Sequence, residues 1–124
     1  MVALTSKVDR VSEKAFNSLV LICSAAPEGT RFQNLRAQLT NILRGDMTSV
    51  VSENFYFDQY RNSPTVHNGI TFLVTVGYLV PFGDKDHLTN GTLYWQANRV
   101  RGDFSEEERE YLEEIGKRLE GRRV

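Results

Sequence analysis

The sequence predicts an α+β fold, in which an N-terminal helical hairpin and a C-terminal helix pack on an antiparallel sheet of about four strands. Three observations support this prediction. Apolar residues recur at steps of three and four at both ends of the chain, which indicates helices. The middle of the chain is rich in β-branched and aromatic residues, which favour strands. Asn-Gly pairs at 68–69 and 90–91 are typical of tight turns.

The first predicted helix runs from about Thr5 to Ala26 and ends at Pro27 and Gly29. Its apolar stripe consists of Val8, Val11, Ala15, Leu19, Ile22 and Ala26. Cys23 lies beside this stripe, and the absence of any second cysteine rules out an internal disulfide. We therefore expect Cys23 to be a buried, unreactive thiol.

A second helix is predicted from Thr30 to Gly45. Thr30 and Gln33 have the spacing of a capping box, and Gly45 is a typical residue to follow a helix. The apolar stripe consists of Phe32, Leu35, Leu39, Ile42 and Leu43. Because the link between the two helices is short, the pattern indicates an antiparallel helical hairpin.

Four strands are predicted between residues 47 and 100. The first covers 47–60, and residues 65–67 pair back on 70–72 through a tight turn at Asn68-Gly69. The long strand 70–80 has an even-numbered face that is entirely apolar and an odd-numbered face of mixed character. Residues 81–91 read as a polar loop, and 92–100 read as the last strand. The even-numbered face of 70–80 is predicted to face the core.

The final helix begins after Ser105, which forms a capping box with Glu108. Acidic residues crowd its first turn, as the helix dipole prefers. The predicted buried stripe consists of Tyr111, Leu112, Ile115 and Leu119. Gly121 is predicted to end this helix, with the last three residues as a tail.

Length and charge suggest a single domain over residues 1–124 without a preference for polyanions. The chain has fifteen Lys and Arg against sixteen Asp and Glu, a net charge of −1. The single cysteine favours a reducing compartment. We find no apolar segment typical of a signal peptide or a membrane span, so we expect a cytoplasmic protein without membrane contact. No cofactor and no metal site are predicted.

The odd-numbered face of the long strand suggests the first functional hypothesis. Its contact residues would be Thr71, Leu73, Thr75 and Gly77. An ordinary half-exposed sheet face has the same composition, but leucines and a glycine among threonines also suit a flat contact surface. We therefore interpret the protein as a small non-catalytic subunit, intracellular or viral, that self-associates or docks into a larger protein assembly.

Binding of single-stranded nucleic acid, RNA in particular, is the alternative hypothesis. The predicted strand 92–100 and the turn after it contain two aromatic residues and two arginines, namely Tyr94, Trp95, Arg99 and Arg101. Aromatic rings on a sheet stack on bases, and arginines hold phosphates. Adjacent strand residues point to opposite faces, so only one of the two rings could belong to such a platform.

The third hypothesis is a small enzyme with a site at loop 81–91 and His67. Asp84, Asp86 and His87 in this loop could supply metal ligands, although a solvated charged loop is the simpler interpretation. No nucleophile elbow, phosphate-binding loop or zinc spacing occurs in the sequence. We therefore assign no catalytic residue.

Overall fold

The computed structural model describes residues 11–46 and 48–123, and it confirms the α+β class, with 54% of residues in helices and 12% in strands. In chain order the elements are α1 (Glu13–Cys23), β1 (Thr30–Phe32), α2 (Leu35–Leu43), α3 (Ser49–Ser52), α4 (Pro64–Thr75), β2 (Leu79–Phe82), β3 (Asp86–Thr89), α5 (Gly91–Val100), α6 (Glu106–Lys117) and β4 (Gly121–Arg123). A short 3-10 turn at Arg101–Asp103 joins α5 to α6.

Helix α1 is the centre of the fold. It packs against α4, α5 and α6, and its last seven residues, from Asn17 to Cys23, are all buried. The predicted helix is therefore confirmed over Glu13–Cys23. It begins after Ser12, whose hydroxyl accepts a bond from the Ala15 backbone N–H at 3.0 Å. The predicted start at Thr5 and the stripe residue Val8 lie outside the described residues.

The four strands form one antiparallel sheet in the order β2-β3-β1-β4. Leu79 pairs with Thr89, and Phe32 pairs with His87, so these residues share one face of the sheet. All four are buried. On the other face Val80 is exposed and Arg31 is half-buried. The sheet therefore contributes one face to the core.

The predicted start of the second helix at Thr30 is wrong, because Thr30–Phe32 form β1. Thr30 and Phe32 point into the core, and Arg31 pairs with Leu88 of β3. Backbone pairing of β1 with β3 on one side and with β4 on the other outweighs the helix-capping pattern of Thr30 and Gln33. Helix α2 begins only after Asn34, which adopts a left-handed conformation with φ of 48°. Because β1 separates α1 from α2, the two helices are not joined as a simple hairpin.

The predicted hairpin and long strand at 65–80 are also wrong, because Pro64–Thr75 form α4. The Ser63 hydroxyl caps this helix by accepting a bond from the Val66 backbone N–H at 3.2 Å. Pro64 sits in the first turn, where its missing N–H has no cost. Gly69 lies inside the helix and has no positive φ. The buried residues recur at helical spacing; they are Thr65, Val66, Gly69, Ile70 and Leu73.

The remaining strand predictions are also wrong in position. The predicted strand 92–100 is α5, with Leu93, Ala97 and Val100 buried at steps of four and three. The predicted loop 81–91 contains β3 and the second half of β2, joined by a turn in which Gly83 has a φ of 74°. Within 47–60 the only regular element among the described residues is α3. The described residues thus contain four strands, which lie at other positions than predicted except for Leu79 and Val80, the end of the predicted strand 70–80.

The capping box of α6 is confirmed. Ser105 and Glu108 exchange both bonds, at 2.8 and 3.1 Å, and Leu112 and Ile115 are fully buried. Arg122 and Arg123 of the predicted C-terminal tail instead belong to β4, which pairs with β1 from Gly121 to Arg123. Val124 lies outside the described residues. Within residues 11–46 and 48–123, no helix is both long enough and apolar enough to cross a membrane.

Candidate functional site

The predicted contact residues lie on α4 and in the turn that follows it, and not on one face of a strand. Thr71 and Thr75 are exposed, whereas Leu73 is fully buried in the core. Gly77 follows the helix with a φ of 86°. The residues that follow Thr71 and Thr75 lie about 100° further around the helix axis, and both are large and apolar. Phe72 is 46% exposed and Val76 is 52% exposed. We call Thr71, Phe72, Thr75 and Val76 the α4 face.

The hydroxyl groups of the α4 face are already bonded within the helix. Thr71 Oγ1 donates to the His67 carbonyl at 3.1 Å, and Thr75 Oγ1 donates to the Thr71 carbonyl at 2.8 Å. Thr71 Oγ1 also accepts a bond from Arg36 Nη2 at 2.8 Å. Because these polar atoms have partners inside the chain, covering the face would remove few unsatisfied groups from water.

The four residues of the nucleic-acid hypothesis separate on α5 and in the 3-10 turn. Tyr94 is half-buried and donates its hydroxyl to the Ala26 carbonyl at 2.8 Å, and burial raises its pKa. Arg101 lies 3.8 Å from the Glu113 carboxylate. Trp95 and Arg99 remain together, with the guanidinium 4.8 Å from the centre of the Trp95 ring. Trp95 is 58% exposed, so this pair alone forms an accessible aromatic and cationic surface.

The residues of the enzyme hypothesis do not converge on one site. Asp84 is exposed in the turn between β2 and β3. The Asn34 backbone N–H, at 3.1 Å, and the Arg31 guanidinium, at 2.8 Å, hold the pKa of Asp86 below its usual value. His87 points to the other face of the sheet and is buried. In the described part of the chain, no three His, Cys, Asp or Glu side chains are placed to hold a metal ion.

Arg36 contacts the buried His87 and also lines the surface groove in which His67 lies. Arg36 Nη1 lies 3.5 Å from His87 Nε2. Burial, and then the charge of Arg36, lower the pKa of His87, which is therefore a neutral imidazole at pH 7. Arg36 also lines a groove of about 550 Å³ between α2 and the first half of α4, and His67 lines the same groove.

Cys23 is fully buried, as the sequence predicts. Burial raises the pKa of its thiol to about 12, so the nucleophilic thiolate is essentially absent at neutral pH. This environment is that of a core residue.

Sequence reasoning missed Phe72, Val76 and Arg36. The first two were placed on the apolar face of a predicted strand and so assigned to the core. The signal that would have exposed them is Ser63-Pro64, a helix-start pattern just ahead of the stretch. The sequence shows that Arg36 and Arg44 are eight residues apart. It does not show the groove, because the opposite wall is formed by α4, which the sequence predicts as a strand.

Comparison of the chain with protein-family models, with curated proteins and with solved structures finds no match among any of the three.

Proposed function

We propose that this protein is a non-catalytic subunit that associates with a second copy of itself through the α4 face. The observation that supports this most directly is the composition of α4. Its twelve residues include no Asp, Glu, Lys or Arg, although four positions beyond the first turn are exposed to solvent. A surface helix normally carries charges on its wet side, and α6 in this chain does so.

Depletion of charge is the compositional mark of the centre of a protein interface. Phe72 and Val76 are four residues apart, so they lie next to each other on the helix surface. The threonines beside them have hydroxyls bonded within the chain. Burial of this face therefore gains apolar contact at a small cost in lost hydration.

A second copy of the chain is the occupant that these features favour. The four side chains of the α4 face carry no charge, so they meet their own copies across a two-fold axis without like-charge repulsion. The cationic Arg36, which bonds Thr71 Oγ1 at 2.8 Å, lies at the edge of the face. A stable interface buries about 800 Å² on each partner, which is more than four side chains supply. Val80 lies four residues beyond Val76 on the edge strand β2 and is 41% exposed, so it is the candidate for extending the contact.

Phe72→Glu is expected to dissociate the dimer. A carboxylate would be buried opposite its own copy, and the apolar contact of the ring would be lost. We expect the dissociation constant to rise at least tenfold, measured as solution mass by light scattering over a range of protein concentrations. The thermal midpoint of the monomer should stay close to that of the wild type, because Phe72 is nearly half exposed. Thr75→Arg on the same face should act in the same direction.

Tyr60→Glu is the matched control, since Tyr60 is an aromatic residue outside α4 that is 73% exposed. It should leave the solution mass unchanged. A wild-type protein that is monomeric at high concentration would overturn self-association. If such a monomer bound a different protein and lost that binding in Phe72→Glu, the α4 face would be a docking site for that partner.

Binding of single-stranded nucleic acid is the second candidate, and the pairing of Trp95 with Arg99 favours it. An exposed ring can stack on a base, while the arginine beside it neutralises a phosphate. We expect Arg99→Ala to weaken binding of a short RNA and to reduce the slope of log affinity against log salt by about one. Lys117→Ala, an exposed cation on α6, is the control. Absence of wild-type binding at low salt, where attraction is strongest, would eliminate this candidate.

A further inference from the structure

The groove between α2 and the first half of α4 has a different chemistry from the α4 face. Its volume of about 550 Å³ falls in the range of small-molecule sites. Arg36 and Arg44 enter it from α2, and His67 enters it from α4. None of the described residues that line it carries a carboxylate. The groove is therefore a cationic site on a protein whose net charge is −1.

The two arginines have no acidic partner within the described chain. Each of the four ion pairs there uses other residues. Arg36 Nε is buried and makes no hydrogen bond, and burial lowers the pKa of this guanidinium. Buried arginine donors are ordinarily satisfied by a carboxylate or by another oxyanion. An oxyanion ligand in the groove would supply the counter-charge that Arg36 and Arg44 lack among the described residues.

The uncharged residues of the lining indicate which part of a ligand would lie between its anionic groups. Thr40, Asn41 and Asn62 offer a hydroxyl and two amide groups, which suit the hydroxyl groups of a sugar. Among the described residues no Phe, Tyr or Trp lines the groove, so the imidazole of His67 is the one ring on which a nucleobase could stack. Within residues 11–46 and 48–123, the apolar residues of the lining are Ala37 and Pro64. The lining therefore favours a hydroxyl-rich ligand over an apolar or aromatic one.

The spacing of the cations suggests two anionic groups. Arg36 lies in the first turn of α2 and Arg44 directly follows its last residue, so the two are eight residues apart. They are offset by about 80° around the helix axis, and their Cα atoms are separated by roughly 12 Å along it. We propose that this groove binds a small sugar that carries a phosphoryl group at each end, with one phosphoryl group at Arg36 and the other at Arg44. His67 lies on the opposite wall and adds a third nitrogen donor to the site.

Fructose 1,6-bisphosphate is the probe for this proposal. Titrated into ¹⁵N-labelled protein, it should give saturable shifts of backbone amides within 36–44 and 62–68. Fructose 6-phosphate should bind at least tenfold more weakly, and fructose should give no shift. Arg44→Gln should weaken bisphosphate binding at least tenfold, since Arg44 is exposed and its replacement leaves the core intact. Arg36→Gln should do the same; its unfolding midpoint is needed as well, because Arg36 also contacts Thr71.

Arg99→Gln is the matched control, because it removes one exposed arginine outside the groove. An equal loss of affinity in this variant would show general charge attraction and overturn the proposal. Shifts confined to other residues, or tighter binding of a single-stranded oligonucleotide in the same groove, would also overturn it. Phe72→Ala, which alters the α4 face without adding a carboxylate beside the contact of Arg36 with Thr71, should bind the bisphosphate as the wild type does, so the groove and the α4 face are tested independently.

Discussion

Gly116→Val is expected to destabilise the protein by about 3 kcal/mol, at the upper end of the range for overpacking. Gly116 lies where α6 crosses α1. A Cβ atom at this position would overlap the Ile22 carbonyl oxygen and would lie 2.6 Å from Ala25 Cβ. The first obstacle is backbone within the central helix, which cannot rotate away as a side chain would. The two helices would have to separate, and the apolar stripe of α6 would lose its packing.

Urea denaturation of Gly116→Ala, Gly116→Val and the wild type measures this effect. Alanine is the better helix former by about 1 kcal/mol, so a loss of stability in Gly116→Ala would isolate the steric term. Gly45→Ala is the control, because its added Cβ would be 3.8 Å from the nearest atom and its φ is not positive. We expect a change within about 0.5 kcal/mol there. If Gly116→Val unfolded at the same urea concentration as the wild type, this result would contradict the close crossing of α1 and α6.

Gly69→Val is expected to cost about 2 kcal/mol, and the cost should depend on Leu19. The added side chain would overlap Leu19 Cδ1, which is fully buried in α1. Leu19→Ala alone should cost about 2–5 kcal/mol, because it leaves a cavity. In the double variant the valine would occupy part of that cavity. The stability loss of the double variant should therefore be smaller, by at least about 1 kcal/mol, than the sum of the stability losses of the two single variants.

This cycle separates helix packing from the tight turn that the Asn68-Gly69 pair suggests. Strain at a positive φ would be independent of Leu19, and the two losses would then simply add. Leu112→Ala combined with Gly69→Val is the control, since Leu112 is an equally buried leucine of α6. We expect additivity in that pair, measured by urea denaturation of all the variants. Additivity in the Leu19 pair would contradict the packing of α4 on α1.

Part of the candidate site could be predicted from sequence. Thr71 and Thr75 were selected as surface residues and are exposed, and Trp95 and Arg99 were selected together and remain in contact. Phe72 and Val76 were assigned to the core, because a strand and a helix place adjacent residues on different faces. The groove could not be predicted, since its walls come from α2 and α4 and its character depends on how these helices pack.

The helices α1 and α6 follow from local sequence. Their apolar stripes repeat at helical spacing, and Ser105 with Glu108 defines the start of α6 through bonds between residues three apart. The burial of Cys23 and the break at Pro27 follow from the same kind of information. Each of these features depends on residues close together in the chain.

Tertiary packing was needed for the middle of the chain. β-Branched residues disfavour a helix by less than about 0.7 kcal/mol each, whereas burial of a side chain such as Ile70 or Leu73 stabilises by about 1.5–3 kcal/mol. Packing against α1 therefore outweighs strand propensity in α4. The strands are only three or four residues long, which is too short for an alternating pattern to identify. Thr30–Phe32 is a strand because β3 and β4 bond to it from either side, and those partners lie more than fifty residues away in sequence.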